Sequence, residues 1–223
     1  MNNFPFNTIE FLSRLKKNNN REWFEKNKDE FIEKVFTPAQ EFVVVLGELM
    51  RSFAPDIVAI PKTDKSIFRL HRDVRFSKDK SPYKTNLGLY FWEGDRKKMD
   101  CAGFYFHIEP GYMFLGSGQY QFSNELLKKF RNVVYDYEKG KELDSIIKKS
   151  VKKGFKVGGK TYKKVPRGFD PEYPFSEYLL YSGIYLYEEI NDVNIFKKED
   201  IVKYALKKYK SMLPIHRWLV DNI

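Results

Sequence analysis

Six cations and two acids occupy the sixteen residues from Arg69 to Lys84: Arg69, Arg72, Arg75, Lys78, Lys80 and Lys84 against Asp73 and Asp79. Arginine presents a planar fork of N–H donors that matches phosphate or carboxylate oxygens in pairs, and lysine adds a compact point charge. With the hydroxyls of Ser77, Ser81, Tyr83 and Thr85 among them, the segment carries what an anion site needs. The same residues serve another end if Asp73 and Asp79 pair with the cations and fasten a loop in place, Arg72 with Asp73 first among them. The spacing of Arg69, Arg72, Arg75 and Lys78 by three leaves both readings open. A strand would divide them between two faces, whereas an irregular, polyproline-like path past Ser77 and Pro82 would align them.

A second set of residues could move protons. His107 and Glu109 form a His-x-Glu pattern that places both side chains on one face of a strand, and imidazole titrates nearest neutrality. The alternative is a buried structural imidazole bonded to a tyrosine hydroxyl. Gly116 and Gly118, ahead of a helix capped by Ser123, offer backbone N–H groups to a phosphate. Their spacing matches neither the P-loop nor the dinucleotide fingerprint, and a packed side chain explains strand glycines equally well. Lys163, Lys164 and Arg167 beside Tyr162 and Phe169 interleave cations with aromatics, as a nucleic-acid backbone with occasional base stacking requires. His71 and His216 stand apart, and no spacing of His, Cys, Asp or Glu predicts a metal or identifies a cofactor.

The charge is concentrated. Of the net +10, the twenty residues from Lys148 to Arg167 carry +9, with nine Lys or Arg and no acid. Clustered like charge raises the local potential and favours an anionic partner, unless these lysines merely solvate a surface. A hydrophobic content of 42% with 17% aromatics excludes a disordered chain, and 223 residues suffice for one well-buried core. The single Cys101 leaves no internal disulfide and no cysteine cluster. MNNFPFNTIEFLSRL has neither a basic leader nor an unbroken apolar run, and no stretch reaches membrane-spanning length, which predicts a soluble, cytoplasmic protein with no membrane partner.

The elements that must position these residues follow from periodicity. Asn7 and Glu10 predict a capped first helix with Ile9, Leu12 and Leu15 on one face; a second begins near Arg21 and a third at Thr37 with Pro38 in its first turn. Alternation predicts strands over Leu87–Trp92 and Gly103–Glu109, and YMFLGSG from Tyr112 gives a third across a Pro110-Gly111 turn. If that turn is tight, residues whose numbers sum to 221 face one another, although Pro-Gly is unusual in two-residue hairpins and suggests a longer loop. Helices follow from Ser123 and after Gly140, then a Lys-rich strand and turn, a helix from Ser176, a strand over Ile184–Ile190 and a helix from about Lys198. The expectation is a single α+β domain over residues 1–223, an antiparallel meander flanked by helices.

Five motifs make the chain recognisable: NNNREWFEKNK (18–28), RDVRFSKDKSPYKT (72–85), HIEPG (107–111), GSGQYQFSNELLKKFR (116–131) and KKVPRGFDPEYP (163–174). In this order they resemble a family of uncharacterised proteins catalogued as a domain of unknown function, over nearly the whole chain. Ser117 stands where the resemblance implies a third glycine, and Phe122 where it implies a proline. The resemblance implies no reaction. Three functions therefore stand side by side: a protein binding a phosphate-rich anion, nucleic acid included, in a basic concavity of Arg69–Lys84 and Lys163–Asp170; an enzyme acting on a phosphorylated or carboxylated small molecule through His107 or Glu109; and an interaction protein whose basic loop docks on an acidic partner.

Overall fold

The computed structural model of the chain describes residues 4–223, so the N-terminal reading of Met1 to Asn3 lies outside the described residues. The fold is α+β, with a five-stranded antiparallel sheet flanked by helices. Helix α1 (Phe6–Lys17) precedes α2 (Arg21–Lys26) and α3 (Lys28–Phe31), which runs through a π-helical turn into α4 (Thr37–Met50). Strands β1 (Leu87–Trp92), β2 (Gly103–Glu109) and β3 (Tyr112–Gln119) follow, then α5 (Asn124–Tyr135), α6 (Tyr137–Lys152), β4 (Lys156–Lys160), β5 (Tyr181–Ile190) and α7 (Ile201–Asn222). The strand order is β1-β2-β3-β5-β4.

Local chemistry explains most boundaries. Asn20 accepts from the Trp23 N–H to open α2, Ser123 from the Leu126 N–H to open α5, and Asp136 from the Lys139 N–H to open α6. Helix α1 differs from its expected cap: it starts at Phe6 behind Pro5 with no side-chain cap, because proline supplies the entry and leaves Asn7 inside the first turn. The Lys-rich block also differs. Its first residues belong to α6, whose Leu143, Ile147 and Ser150 face inward, and strand structure begins only after Gly154 turns the chain at φ +91°. Ser176–Leu180 forms a 3₁₀ turn in place of a longer helix.

Chain contacts divide into two compact units. The first comprises the described part of Met1–Phe91 with Tyr105–Phe114 and Glu189–Leu206. Its core joins Phe11, Leu12 and Leu15 of α1 and Phe42, Val43 and Leu46 of α4 with Leu89, Phe91, Phe106 and Ile108, all fully buried. The second comprises Trp92–Phe104, Leu115–Glu188 and Lys207–Ile223. There Phe104, Leu115, Phe130, Ile184, Leu186, Tyr209, Met212 and Ile215 are fully buried.

The β2–β3 connection is two residues long, Pro110 and Gly111, with Gly111 at φ +81°; the longer loop expected for Pro-Gly is not formed, since the glycine alone adopts the positive dihedral. In the second unit Gly118 sits at φ +139°, where an added Cβ would fall 2.3 Å from the Ile184 carbonyl oxygen and 2.7 Å from the Tyr185 Cα. The missing side chain is thus what lets β3 approach β5. Gly118→Ala is expected to cost about 3 kcal/mol of stability, read as a lowered urea midpoint with an unchanged denaturant slope.

Candidate functional site

The basic segment of the first unit forms an arm. The Arg72 N–H donates to the Pro82 carbonyl (2.9 Å) and the Lys84 N–H to the Leu70 carbonyl (2.8 Å), with His71 bridging Tyr83 in antiparallel fashion between them. Two short backbone runs therefore make a stalk, and residues 73–81 make the tip. Tyr83 roots the stalk. It is only 2% exposed, stacks on Phe24 at 4.3 Å between ring centroids, and lies 5.0 Å from the His71 ring. Asn19 grips its backbone from both sides, donating from Nδ2 to the Tyr83 carbonyl (2.9 Å) and accepting the Tyr83 N–H on Oδ1 (3.1 Å).

The tip neutralises itself. Asp73 accepts from Arg75 Nε (2.9 Å) and a terminal guanidinium nitrogen (2.7 Å), and these bonds with that of the Arg75 N–H hold its carboxyl at about 2. Asp79 accepts from the Ser81 hydroxyl (2.6 Å) and N–H (2.9 Å) and pairs with Arg72; those bonds hold its carboxyl well below the usual range. Lys80 Nζ donates to the Val74 carbonyl at 2.9 Å. Arg72, Arg75 and Lys80 are thus committed to the shape of the tip, Arg72 to Asp79 and not to its neighbour Asp73. Phe76 beside them is 96% exposed.

Arg69, Lys78 and Lys84 have no carboxylate within ion-pair distance among the described residues. Lys84 differs from the other two in being half-buried, its Nζ 5.8 Å from the centroid of Phe68. Burial, and after it the charge of Arg69, push its ammonium below the ordinary lysine value, with Asp64 offsetting part of the effect. The Phe68 ring stands edge-on to Tyr105 at 6.0 Å, and Tyr105 Oη lies 3.0 Å from His107 Nδ1. Gly88 makes room for that tyrosine, since a Cβ there would come within 2.8 Å of its hydroxyl. Asn86 Nδ2 approaches the same imidazole nitrogen at 3.4 Å, and Glu109 Oε2 lies 3.9 Å from Nε2. Arg69, Lys84, Phe68, Tyr105 and His107 therefore form one continuous patch. Burial pushes the His107 pKa down although Glu109 pulls it up, so the imidazole is neutral at neutral pH.

In the second unit, Gly116 and Gly118 are buried, and Gly118 is filled by β5. The 163–174 segment is strapped to α5 through Tyr135, whose ring meets Phe169 at 5.1 Å and Tyr173 at 4.7 Å, while Tyr173 Oη donates to the Val134 carbonyl (3.0 Å). Lys163, Lys164 and Arg167 project from this strap, exposed and without an ion pair among the described residues. The two basic segments belong to different units.

His216, isolated in sequence, is paired in space. Fully buried, it donates from Nε2 to Glu93 Oε2 (2.5 Å), and Arg217 donates twice to Glu93 Oε1 (3.1 Å each). Burial would raise the Glu93 carboxyl, but His216 and Arg217 outweigh it and hold the group ionised, while burial keeps His216 below its ordinary value. Only Glu93, an acid closing an otherwise apolar strand, hinted at this network. Among the described residues no cluster of His, Cys, Asp and Glu is placed to hold a metal ion, and no helix is long and apolar enough to cross a membrane.

A family model described as a conserved hypothetical protein (DUF2461) matches residues 7–218. The chain belongs to that family. The match takes in both units of DUF2461 structure seen here, the arm and its Asn19 anchor included, and names no activity. No curated protein and no solved structure matches the chain.

The depressed His107 pKa carries a sign. Between its ordinary value of 6.5 and its depressed one the unfolded chain binds the extra proton and the folded chain does not, so this contribution to stability is complete above 6.5 and lost as pH falls through the folded pKa. Chemical unfolding at pH 7 and pH 5 should show a larger acid-induced loss in the natural chain than in His107→Gln. Equal losses would mean that the imidazole is not desolvated.

Proposed function

We propose that this protein binds a phosphate-bearing anion at the foot of the arm, against Lys84 and Arg69, with Lys78 at the tip as an outlying contact. The observation that carries the reading is the Lys84 ammonium: half-buried, beside a second cation, and with no carboxylate in ion-pair contact, Asp64 offsetting only part of the effect from a greater distance. Taking a charge partly out of water costs free energy that a counter-charge normally repays. Two neighbouring cations with no carboxylate in contact are an arrangement that an incoming anion stabilises, and Arg69 adds the fork that binds phosphate oxygens in pairs. Phosphate chemistry also fits the excess of Lys and Arg, 40 against 30 acids.

Arg72, Arg75 and Lys80 take a different part in this reading from the one their charge suggests. Their partners are within the tip, so they hold the arm's shape and leave ligand contact to the other three cations. Tyr83 likewise roots the arm.

A second reading has a specific observation behind it. His107, neutral, bonded to Tyr105 and 3.9 Å from Glu109, adjoins the same patch, which would place an acid/base group next to a held anion. In that case the ligand is a phosphorylated or carboxylated small molecule, and His107→Gln would abolish turnover while leaving binding intact.

Titration calorimetry with inorganic phosphate and with a nucleoside monophosphate, at low and at raised salt, tests the binding site. Lys84→Met keeps the apolar stem and removes the charge, and is expected to weaken binding at least tenfold, or about 1.4 kcal/mol. Arg75→Ala, which loses only an internal pair, should bind as the natural chain does. Identical affinities for Lys84→Met and the natural chain would remove the proposal.

A further inference from the structure

Strand β5 alternates. Ile184 and Leu186 are fully buried on one face, and Tyr185 and Tyr187, both half-buried, stand on the other. Tyr120, just past the end of β3 and 66% exposed, extends that row. Ring centroids are 5.7 Å apart from Tyr120 to Tyr185 and 5.8 Å from Tyr185 to Tyr187, at interplanar angles of 35° and 44°. The row ends on Lys156, whose Nζ lies 6.0 Å from the Tyr187 centroid. Glycine creates the space for it: a Cβ on Gly158, which pairs with Tyr185 across the β4–β5 ladder, would fall 2.3 Å from the phenol ring. All of these residues lie in the second unit.

A row of three phenol rings at nearly equal steps lies on the face away from Ile184 and Leu186 and adds little to the core on that side. Such a row, exposed most at Tyr120, accepts flat rings in succession. The charge that begins at Lys156 and continues along the chain from it says which rings. Strand β4 runs from Lys156, opposite Tyr187, to Lys160, opposite Tyr181, and leads directly into Lys163, Lys164 and Arg167, which are exposed and without ion pairs among the described residues. The twenty-residue block that contains them carries +9, of which Lys148 and Lys160 are paired with Asp144 and Glu177. A ligand that matches both features has planar rings along a chain of repeating negative charge. We infer that the tyrosine row of Tyr120, Tyr185 and Tyr187, with Lys163, Lys164 and Arg167, binds single-stranded nucleic acid. Bases stack on the rings and phosphates meet the cations, without preference for sequence, because every base has a π face. A duplex hides those faces and binds through its phosphates alone. A neutral oligosaccharide would use the rings and leave the cations idle. The inference goes beyond the anion site at Lys84, since it rests on other residues in the other unit.

The test is fluorescence anisotropy of a labelled single-stranded DNA twelve-mer, and of its duplex, with the full chain over a range of salt. The natural chain is expected to prefer the single strand. Tyr120→Ala should weaken single-strand binding about tenfold with little effect on thermal midpoint, and Tyr120→Trp should restore it, because stacking and not the hydroxyl is what counts. Replacing Lys163, Lys164 and Arg167 together by alanine should flatten the slope of log affinity against log salt by about 2. Lys84→Met should leave the tyrosine-dependent part unchanged, so this inference and the phosphate site fail separately. Unchanged affinity in Tyr120→Ala, equal binding of duplex and single strand, or Tyr120-dependent binding of a neutral oligosaccharide in place of DNA would each overturn the inference.

Discussion

The bidentate grip of Asn19 on the backbone of Tyr83 is the constraint on which the first unit's candidate site depends. Tyr83 carries no net charge and contacts no ligand in this account, yet the residue after it is Lys84. With its N–H and carbonyl both held by one amide and its ring stacked on Phe24, Tyr83 fixes where the arm leaves the helices. The Arg72–Pro82 and Lys84–Leu70 bonds then set the stalk, and the stalk sets the half-buried position of the Lys84 ammonium. Two such part-buried hydrogen bonds contribute on the order of 1–3 kcal/mol, and leaving those groups unpaired would cost more. The motif that begins at Asn18 thus acts at a distance of 64 positions along the chain.

Charge counting overstates what such a segment offers to a ligand. Six cations in sixteen residues look like one site, but half of them are consumed by Asp73, Asp79 and the Val74 carbonyl. The internal pairs lie in an exposed tip, where solvent screens them, so their role is to choose among loop conformations more than to add stability. What remains available is decided by which cations lack a neighbour. In the second unit the Glu93 network illustrates the opposite limit: a buried acid held by a buried imidazole and a partly exposed guanidinium, its charge spent on the fold.

Much of the fold was legible because period-2 and period-3.6 patterns are local. The first three strands, the Thr37 start and the Ser123 cap fall where alternation and capping chemistry place them. The misreadings have separate causes. Proline before Phe6 replaced a side-chain cap, inward-facing Leu143 and Ile147 drew the lysine block into a helix, and a single positive dihedral at Gly111 closed a turn expected to be longer. For the site, the sequence located the basic segment and set out its two possible uses; internal fastening is what Arg72, Arg75 and Lys80 are seen to do, and the anion use of Arg69, Lys78 and Lys84 is the proposal made above. The tyrosine row escaped notice because Tyr120 lies 65 positions from Tyr185 and only β3–β5 adjacency brings them together.

The central claim is that Lys84 is a partly desolvated cation awaiting a counter-charge, and the ionisation of that one side chain reports it most directly. In a selectively labelled chain, carbon-detected NMR can follow the Lys84 ε-methylene through an alkaline titration, with and without inorganic phosphate. The account predicts a midpoint below the ordinary 10.5 in the free protein, rising when phosphate is added, because an anion that binds the charged form must favour its protonation. A midpoint at the ordinary value, or one that phosphate leaves unmoved, would contradict it.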